Sequence, residues 1–577
     1  MRRPADARCG GPRTHNGDMA GWLDLPRPAR YAILVLAGAL PVLAFPAPNL
    51  EFIAWFGLVP GLLLIRASAT ARQAASAGWW LGGGYLMAAL YWLIPNLGPA
   101  LLLVVAVLGF LWAGFGLACW TLLRPPVTAG RALAALAVLP SCWLAGEWIR
   151  SWQGFGGPWA VFGASQWQHP AVLALAAVGG VWLISFALVA ANTGILILFV
   201  ARRMAVRLIG AAAAVIVVAA GPVAFALTPA APITRHITIA MVQPGVVNNA
   251  RLRVDASQRL SAGLRGDHAG LIVWGESSVG YDLDTHASLL HQLERLSAAD
   301  GAQLLVNQDS IAPDGAKSKV AVLVGSNGID GRYVKTRLVP FGEYIPFRQQ
   351  LGWLAKISKA APQNIIPGTG AHVMRVTLPS GRPLTIGVLI CFESAFPDMS
   401  RVDADHGAQM IIYQTSDSTW QASWEWALAQ HATLGAVRAA ETGRPVLQAA
   451  LTGDSAAFDA RGRLLAWAGS SERGVTLVRL GLPPAAARTP YDRLGDYVPW
   501  TATGIAAIAA AGALIRTRRG RRAGIRPGRP ARIPLERNLR HGSSVTVTSG
   551  SAGKTSLARL PDPGDGTDPA PSTDPSR

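Results

Sequence analysis

Three short stretches of the chain each set a reactive side chain just past an apolar, strand-like run. In "IGVLICFESAFP" (386–397) the run Ile386 to Ile390 delivers Cys391, with Glu393 two residues on. In "LIVWGESSVG" (271–280) Glu276 follows the run ending at Trp274, and "GRYVKTRLVPFGEYIPFR" (331–348) carries Lys335 and Glu343. Strand ends are where an α/β domain places its site, because the loops there are free of packing duty. Singly, each residue has an ordinary structural reading. A glutamate after a strand pairs with a surface base or caps a helix, a lysine is a solvated charge, and a cysteine with apolar flanks is inert packing. Together they supply a base, a cation and a nucleophile, the parts that acyl transfer through a covalent intermediate requires. A free thiol has a pKa of about 8.5, so a base or a neighbouring ammonium must help to generate the thiolate. Spacing alone leaves both readings open.

The elements that must hold these residues belong to two different kinds of chain. Of 577 residues, 51% are hydrophobic and only 15% charged, against about 25% charged in an ordinary soluble domain. The mean hydropathy is +0.30. Apolar stretches of spanning length, roughly 17–25 residues, occur near 29–47, 50–66, 74–95, 99–123, 131–149, 171–200 and 205–228, and again near 498–515. The formal net charge of +19 does not mark a nucleic-acid face. The arginines gather at the N-terminus, in short loops between apolar runs and in the tail, which is a footprint of membrane topology. The cysteines Cys9, Cys119, Cys142 and Cys391 have neither metal-ligand nor CxxC spacing, so no metal, cofactor or disulfide framework is expected.

Loop arginines set an expected orientation. Arg66 and Arg72, Arg124 and Arg131, and Arg202, Arg203 and Arg207 occupy alternate loops, whereas 47–50 and 95–98 have none and 150–170 has only Arg150. The positive-inside rule then puts residues 1–28 in the cytoplasm, seven spans over 29–228, the interval 229–497 outside, and an eighth span at 498–515. Residues 1–30 hold no apolar core, so the first span is expected to act as an uncleaved signal, with Met1 or Met19 as the start. The tail 516–577 is basic, then rich in Gly, Ser, Asp and Pro; it is expected to be cytoplasmic and disordered, its basic cluster meeting lipid head groups. The outer interval is long enough for one α/β domain. Strand-like runs lie at Ile237–Gln243, Leu271–Trp274, Gln303–Val306, Val320–Val324, Leu384–Cys391, Met410–Tyr413, Pro445–Ala450 and Val475–Leu480, and a helix at Trp424–Glu441 stops at Gly443-Arg444-Pro445. The segment "FRQQLGWLAKI" (347–357) sets Leu351, Trp353, Leu354 and Ile357 among polar residues, which suits a lipid-facing lid or an ordinary packed surface helix.

"VWGES", "YVKTRLVPFGEYIP" and "ICFESAFP" resemble the three catalytic motifs of the apolipoprotein N-acyltransferases, membrane members of the nitrilase (carbon–nitrogen hydrolase) superfamily. "EWIRSWQGFGGPWAVFGASQ" (147–166) is similar to that family's loop after the fifth span, and "RAAETGRPVLQA" to its late helix–strand unit. The resemblance covers about 29–515 and implies a polytopic helical membrane domain of about eight spans carrying an extracytoplasmic α-β-β-α sandwich in a cell membrane. It implies Glu276 as general base, Lys335 as oxyanion stabiliser and Cys391 as nucleophile, with Glu343, Phe392, Glu393 and Trp420 supporting them. It also implies the reaction. Cys391 takes a fatty acyl chain from a phospholipid and passes it to the α-amine of a diacylglyceryl-cysteine at a lipoprotein's N-terminus.

The chain departs from the family at several points. Phe392 stands where many relatives have tyrosine, Asp417 and Ser418 replace an Asn-Asp pair, Leu451 replaces Asn before Thr452-Gly453, and a tryptophan usual near Arg251 and Leu252 is absent. Two alternatives follow: a membrane-tethered nitrilase-like amidase using the same three residues, or a non-catalytic paralogue that binds lipoproteins or a partner membrane enzyme. A transporter fits less well, since the spans show no pair of broken helices with central charges.

Overall fold

A computed structural model of the chain describes residues 25–311, 315–357, 364–418 and 426–524. The first half is helical because its apolar runs leave backbone groups no polar partner except one another. The helices are α1 (Arg27–Ala39, continued as a 3-10 turn to Ala44), α2 (Val59–Arg66), α3 (Ala71–Leu90), α4 (Ala100–Leu123, with a 3-10 turn at Phe110–Trp112), α5 (Ala129–Arg150), α6 (Pro170–Val200) and α7 (Met204–Leu227).

Of the eight expected spans, six helices among the described residues are long and apolar enough to cross a membrane: α1, α4, α5, α6, α7 and the closing helix at Tyr497–Arg516. The stretch at 50–66 does not form one continuous helix. It opens as a 3-10 turn, Glu51–Trp55, and only eight residues, Val59–Arg66, are α-helical. The break is made good from α6, where Asn192 accepts from the Leu58 amide (2.9 Å) and donates to the Ala54 carbonyl (2.8 Å). Irregular backbone at membrane depth is tolerated only when buried in protein in this way. Helix α3 has 20 residues, but its "GWWLGGG" (78–84) makes it less apolar than the six. Short loops join helices of this length, so the helical half is a multi-pass membrane assembly.

The second half is built from two facing sheets. Strands β1 (Arg235–Gln243), β2 (Leu271–Trp274), β3 (Gln303–Ile311), β4 (Lys317–Gly325) and β5 (Gly328–Val334) form the first, in order β12-β1-β2-β3-β4-β5, where β12 is Gly474–Leu482. The second has the order β11-β10-β9-β8-β7-β6, from β6 (Val373–Thr377), β7 (Pro383–Ile390), β8 (Met410–Thr415), β9 (Val446–Ala450), β10 (Ser455–Phe458) and β11 (Leu464–Ala468). β1, β2 and β3 are parallel, as are β7, β8 and β9. Side chains alternate along a strand, and β1 uses both faces. Ile237, Ile239 and Met241 join the core shared with the second sheet, while Ala240 and Val242 pack outward with Val254 of α8 (Ala250–Ala262) and Leu293 of α9 (Ala287–Asp300). The far face of the second sheet is covered by α10 (Pro397–Asp405) and α11 (Trp426–Thr442). This is the α-β-β-α sandwich of the nitrilase fold.

All eight strand-like runs are strands. Four more are short or mixed: β5 carries glycine and charge, β10 and β11 carry alanine, and β6 (VMRVT) is only five residues with an arginine at its centre; their neighbours' ladders supply what their composition does not. α11 ends at Thr442, with Gly443 at φ +65°, the left-handed stop that glycine favours. The closing helix is α12 (Tyr497–Gly524).

One joint fixes the sandwich to the membrane helices. α6 is kinked at Gly179 and Gly180, where Gly180 takes φ +70° and a Cβ would lie 2.7 Å from the Tyr491 ring. The kink frees the Val181 amide to donate to Glu441 of α11 (2.7 Å). Glu441 is also paired with Arg438 (2.9 Å), and Arg438 donates to the Ala395 carbonyl (3.2 Å) in the segment that follows Cys391.

Candidate active site

Glu276, Lys335 and Cys391 come from the ends of β2, β5 and β7, three strands distributed over both sheets. Their convergence is therefore a consequence of the sandwich, and no local sequence spacing produces it. Cys391 has φ +52° and Ser277, next to Glu276, φ +55°. Neither is glycine, and residues held in that region cost of order 1–3 kcal/mol, a strain concentrated at functional sites. At Cys391 the sharp turn takes the chain from β7 into a 3-10 turn, Cys391–Ala395.

Lys335 is the centre of the cluster. It is fully buried, with its Nζ 2.6 Å from Glu343 Oε1 and 3.2 Å from Glu276 Oε1. Burial alone would lower the pKa of its ammonium, but the two carboxylates carry it well above the ordinary value, so Lys335 is a cation throughout the physiological range. Cys391 is also buried. Desolvation raises its thiol and Glu276 raises it further, against the pull of Lys335, and the net is well above the usual thiol range. Cys391 rests as a thiol beside a carboxylate and an ammonium.

Glu343 ties its own loop to this centre, since its Oε2 accepts from the Val339 amide (2.9 Å). Glu393 is fully buried and acts on the backbone. Its Oε1 accepts from the Thr336 amide (2.6 Å), the Arg337 amide (2.9 Å) and the Tyr333 hydroxyl (2.8 Å), and its Oε2 from the Ile390 amide (2.7 Å). One carboxylate thus clamps the residues after Lys335 to the residue before Cys391. Burial raises its pKa even against those amide bonds. Phe392 packs edge-on against Phe396, ring centroids 5.0 Å apart. Trp420 lies outside the described residues.

Two further groups meet the cluster that sequence reasoning did not select. Lys319 of β4 reaches Asp309 (2.6 Å) and hydrogen-bonds Ser277; burial lowers its pKa, but Glu276 and Asp309 outweigh that and raise it. His431 of α11 is fully buried between Asp417 (Nδ1, 2.9 Å) and the Cys391 carbonyl and Ser394 hydroxyl (Nε2, 3.2 and 3.0 Å). Burial would lower its pKa, but Asp417 prevails and raises it. Asp417, one of the departures noted above, is therefore the partner of a histidine that holds the Cys391 backbone. In the sequence His431 is one of several polar residues on this helix, with Gln430, Thr433, Arg438 and Glu441, and nothing local singles it out. Leu451, another departure, is buried, with its amide donating to Thr415 (2.9 Å).

The loop between α5 and α6 presses on the same place. Gly157, at φ +71°, comes so close to Phe396 and Phe392 that a Cβ would lie 2.7 and 3.0 Å from their rings. Gln153 donates to the Leu338 carbonyl (3.1 Å), Trp159 donates to Gln430 (3.1 Å), and the Trp159 and His431 rings lie 5.4 Å apart. The segment 347–357 forms two short helices, Arg348–Leu351 and Leu354–Ile357, with Phe347 and Trp353 exposed and Leu351 partly buried. The side chains of Leu354 and Ile357 are outside the described residues.

Comparison with known proteins now has a geometry to explain. The family profile described as the apolipoprotein N-acyltransferase N-terminal domain matches residues 37–194, and the carbon-nitrogen hydrolase profile matches 238–487. The apolipoprotein N-acyltransferase of Allorhizobium ampelinum is 31% identical over 506 residues, covering 79% of this chain and 90% of that protein. The chain belongs to the apolipoprotein N-acyltransferase family. The proteins of that name from Geobacter metallireducens (27% identical over 516 residues, 83% of this chain and 94% of that one) and Chlorobaculum tepidum (26% over 541, 87% and 100%) are similar along almost their whole lengths.

Two measurements probe the cluster. Lys335→Met should lower the turnover rate by about 10²–10³-fold, the usual loss for one positioned oxyanion donor, with the protein still folded. An unchanged rate would take Lys335 out of the chemistry. Glu276→Gln removes an anion beside Cys391, so the thiolate becomes easier to form. The pH profile of iodoacetamide labelling at Cys391 should move to lower pH in that variant, and a shift to higher pH would contradict the placement of Glu276.

Proposed function

We propose that this protein moves a fatty acyl chain from a membrane phospholipid to the α-amine of a diacylglyceryl-cysteine, through a thioester on Cys391. In the first half-reaction Glu276 takes the thiol proton as the sulfur attacks the ester carbonyl. The carbonyl oxygen gains negative charge beside the Lys335 ammonium, which stays charged throughout. Collapse breaks the ester C–O bond, and the lysophospholipid leaves with the proton held by Glu276. In the second, the α-amine attacks the thioester carbonyl, Glu276 accepts the amine proton, and the C–S bond breaks as the amide forms. The proton returns to the thiol. An α-amine has a pKa of about 7.7–8.0, so a base must take its proton, and Glu276 serves in both half-reactions.

The observation that carries the reading is the contact between the α5–α6 loop and the flank of Cys391, through Gly157, Gln153 and Trp159. A hydrolase of small polar amides gains nothing from membrane helices pressed on its nucleophile. An enzyme whose donor and acceptor are both lipids needs them there. Trp152, Phe155, Phe347 and Trp353 add exposed aromatic surface in that loop and in the 347–357 segment, the residue type that settles at the membrane interface. We take 229–497 as the catalytic domain and place it on the extracytoplasmic side of the cytoplasmic membrane, following the loop arginines.

The transferase and hydrolase readings part over what attacks the thioester. Purified acyl-enzyme should pass its acyl group to a diacylglyceryl-cysteine peptide and should not pass it to the same peptide with a blocked N-terminus. In cells lacking the gene, mass spectrometry of a lipoprotein N-terminus should find the free α-amine. Release of free fatty acid at the same rate with and without peptide would defeat the proposal.

A further inference from the structure

Away from Cys391, a cavity of about 710 Å³ opens where the sandwich meets the ends of the membrane helices. Its floor is apolar and comes from the spans: Pro170 and Ala174 at the start of α6, and Phe225 at the end of α7. Its walls, from the sandwich, carry Arg461, Arg488 and Arg493, and among the described residues lining it there is no aspartate or glutamate. A second cavity, sharing Pro170, adds Arg463.

The arginines differ in how they are held. Arg461 lies over the Phe225 ring (4.2 Å to the centroid) and donates to the Thr228 carbonyl (2.9 Å), so its guanidinium is fixed against the last turn of α7. Arg488 is tied by Asp405 (3.3 Å) and by the Ala485 and Ala487 carbonyls (2.8 and 2.9 Å). Arg493 is exposed and makes no side-chain hydrogen bond or ion pair among the described residues. Guanidinium groups match phosphate oxygens in a planar, two-bonded geometry. The level in the membrane is fixed as well. Pro170 begins one span and Thr228 follows the end of another, so the cavity lies at head-group height. Below it, the α7 span is only 11% buried, and Val223 and Leu227 are exposed, an apolar wall suited to acyl chains.

We propose that this cavity binds the phosphate of an anionic phospholipid, at a site separate from Cys391. The separation follows from α11. His431 near its start touches the Cys391 carbonyl, while Ala440, Thr442 and Gly443 at its end line the cavity; twelve residues of helix span about 18 Å. The lipid held here clasps the sandwich to the ends of α6 and α7, and its acyl ester bonds are out of reach of the thiol. Three arginines against one paired carboxylate, Asp405, leave net positive charge that selects a net-negative head group over a zwitterionic one, whose own cation would face the arginines.

The test uses the full chain carrying Cys391→Ala, so that no lipid is consumed, in detergent micelles under native mass spectrometry. Phosphatidylglycerol should be retained in preference to phosphatidylcholine of the same chain length. Arg461→Gln with Arg493→Gln should weaken phosphatidylglycerol retention about tenfold, and Arg493→Gln alone, at an exposed unpaired side chain, should weaken it in the same direction without loss of thermal stability. Equal retention of the two lipids, or phosphatidylglycerol retention unchanged in both variants, would overturn the proposal. Glycerol 3-phosphate, which has the phosphate but no chains, should fail to displace the lipid at equal concentration. Displacement by it would assign the site to a soluble phosphate ester, and displacement by an acidic peptide would assign it to a protein partner; either result refutes a lipid site.

Discussion

Everything at the site depends on one buried ammonium. Lys335 has no exposure, and an isolated buried charge costs several kcal/mol even after relaxation. It is kept only because Glu343 and Glu276 lie 2.6 and 3.2 Å away, and removal of one partner from such a pair costs about 3–5 kcal/mol. The same cation limits how far Glu276 can raise the Cys391 thiol. Glu276, Cys391 and Lys335 therefore share one electrostatic balance, and none of the three can be tuned without the others. The charge of the cluster is set before substrate arrives, so little reorganisation is left for the reaction itself.

That balance is held in place by backbone ties. Glu393 joins the Lys335 loop to the end of β7 through three amides and a hydroxyl. His431, supported by Asp417, holds the Cys391 carbonyl from the opposite side. Arg438 and Glu441 then run from Ala395 to the Val181 amide at the kink of α6. Cys391 is thus linked by hydrogen bonds to a membrane helix, and the glycine pair that kinks α6 is what makes the last bond available.

Much of this was legible in the residues because the strands that end at the site are buried on both faces and read as apolar runs. β2 and β7 announce Glu276 and Cys391 in this way. β5 is less apolar, "GIDGRYV", yet Lys335 also stands out at a strand end, and the resemblance of "YVKTRLVPFGEYIP" then gives it a role. Lys319 and His431 stayed hidden. Their partners lie on other elements, Ser277 and Asp309 for one, Asp417 and Cys391 for the other, and pairs brought together by tertiary packing leave no local period. The break within the stretch at 50–66 stayed hidden for a related reason. Its hydropathy is that of a span, but an asparagine 134 positions away satisfies a broken backbone that composition cannot reveal.

The claim on which the account turns is that Cys391 carries the acyl group. Purified protein given phospholipid alone, with no acceptor, should show by peptide mass spectrometry a fatty acyl increment on the Cys391 peptide that neutral hydroxylamine removes. The increment should persist in Cys119→Ala and Cys142→Ala and vanish in Cys391→Ala. An enzyme that acylates lipoproteins in cells yet never loads Cys391 from any phospholipid would contradict the account.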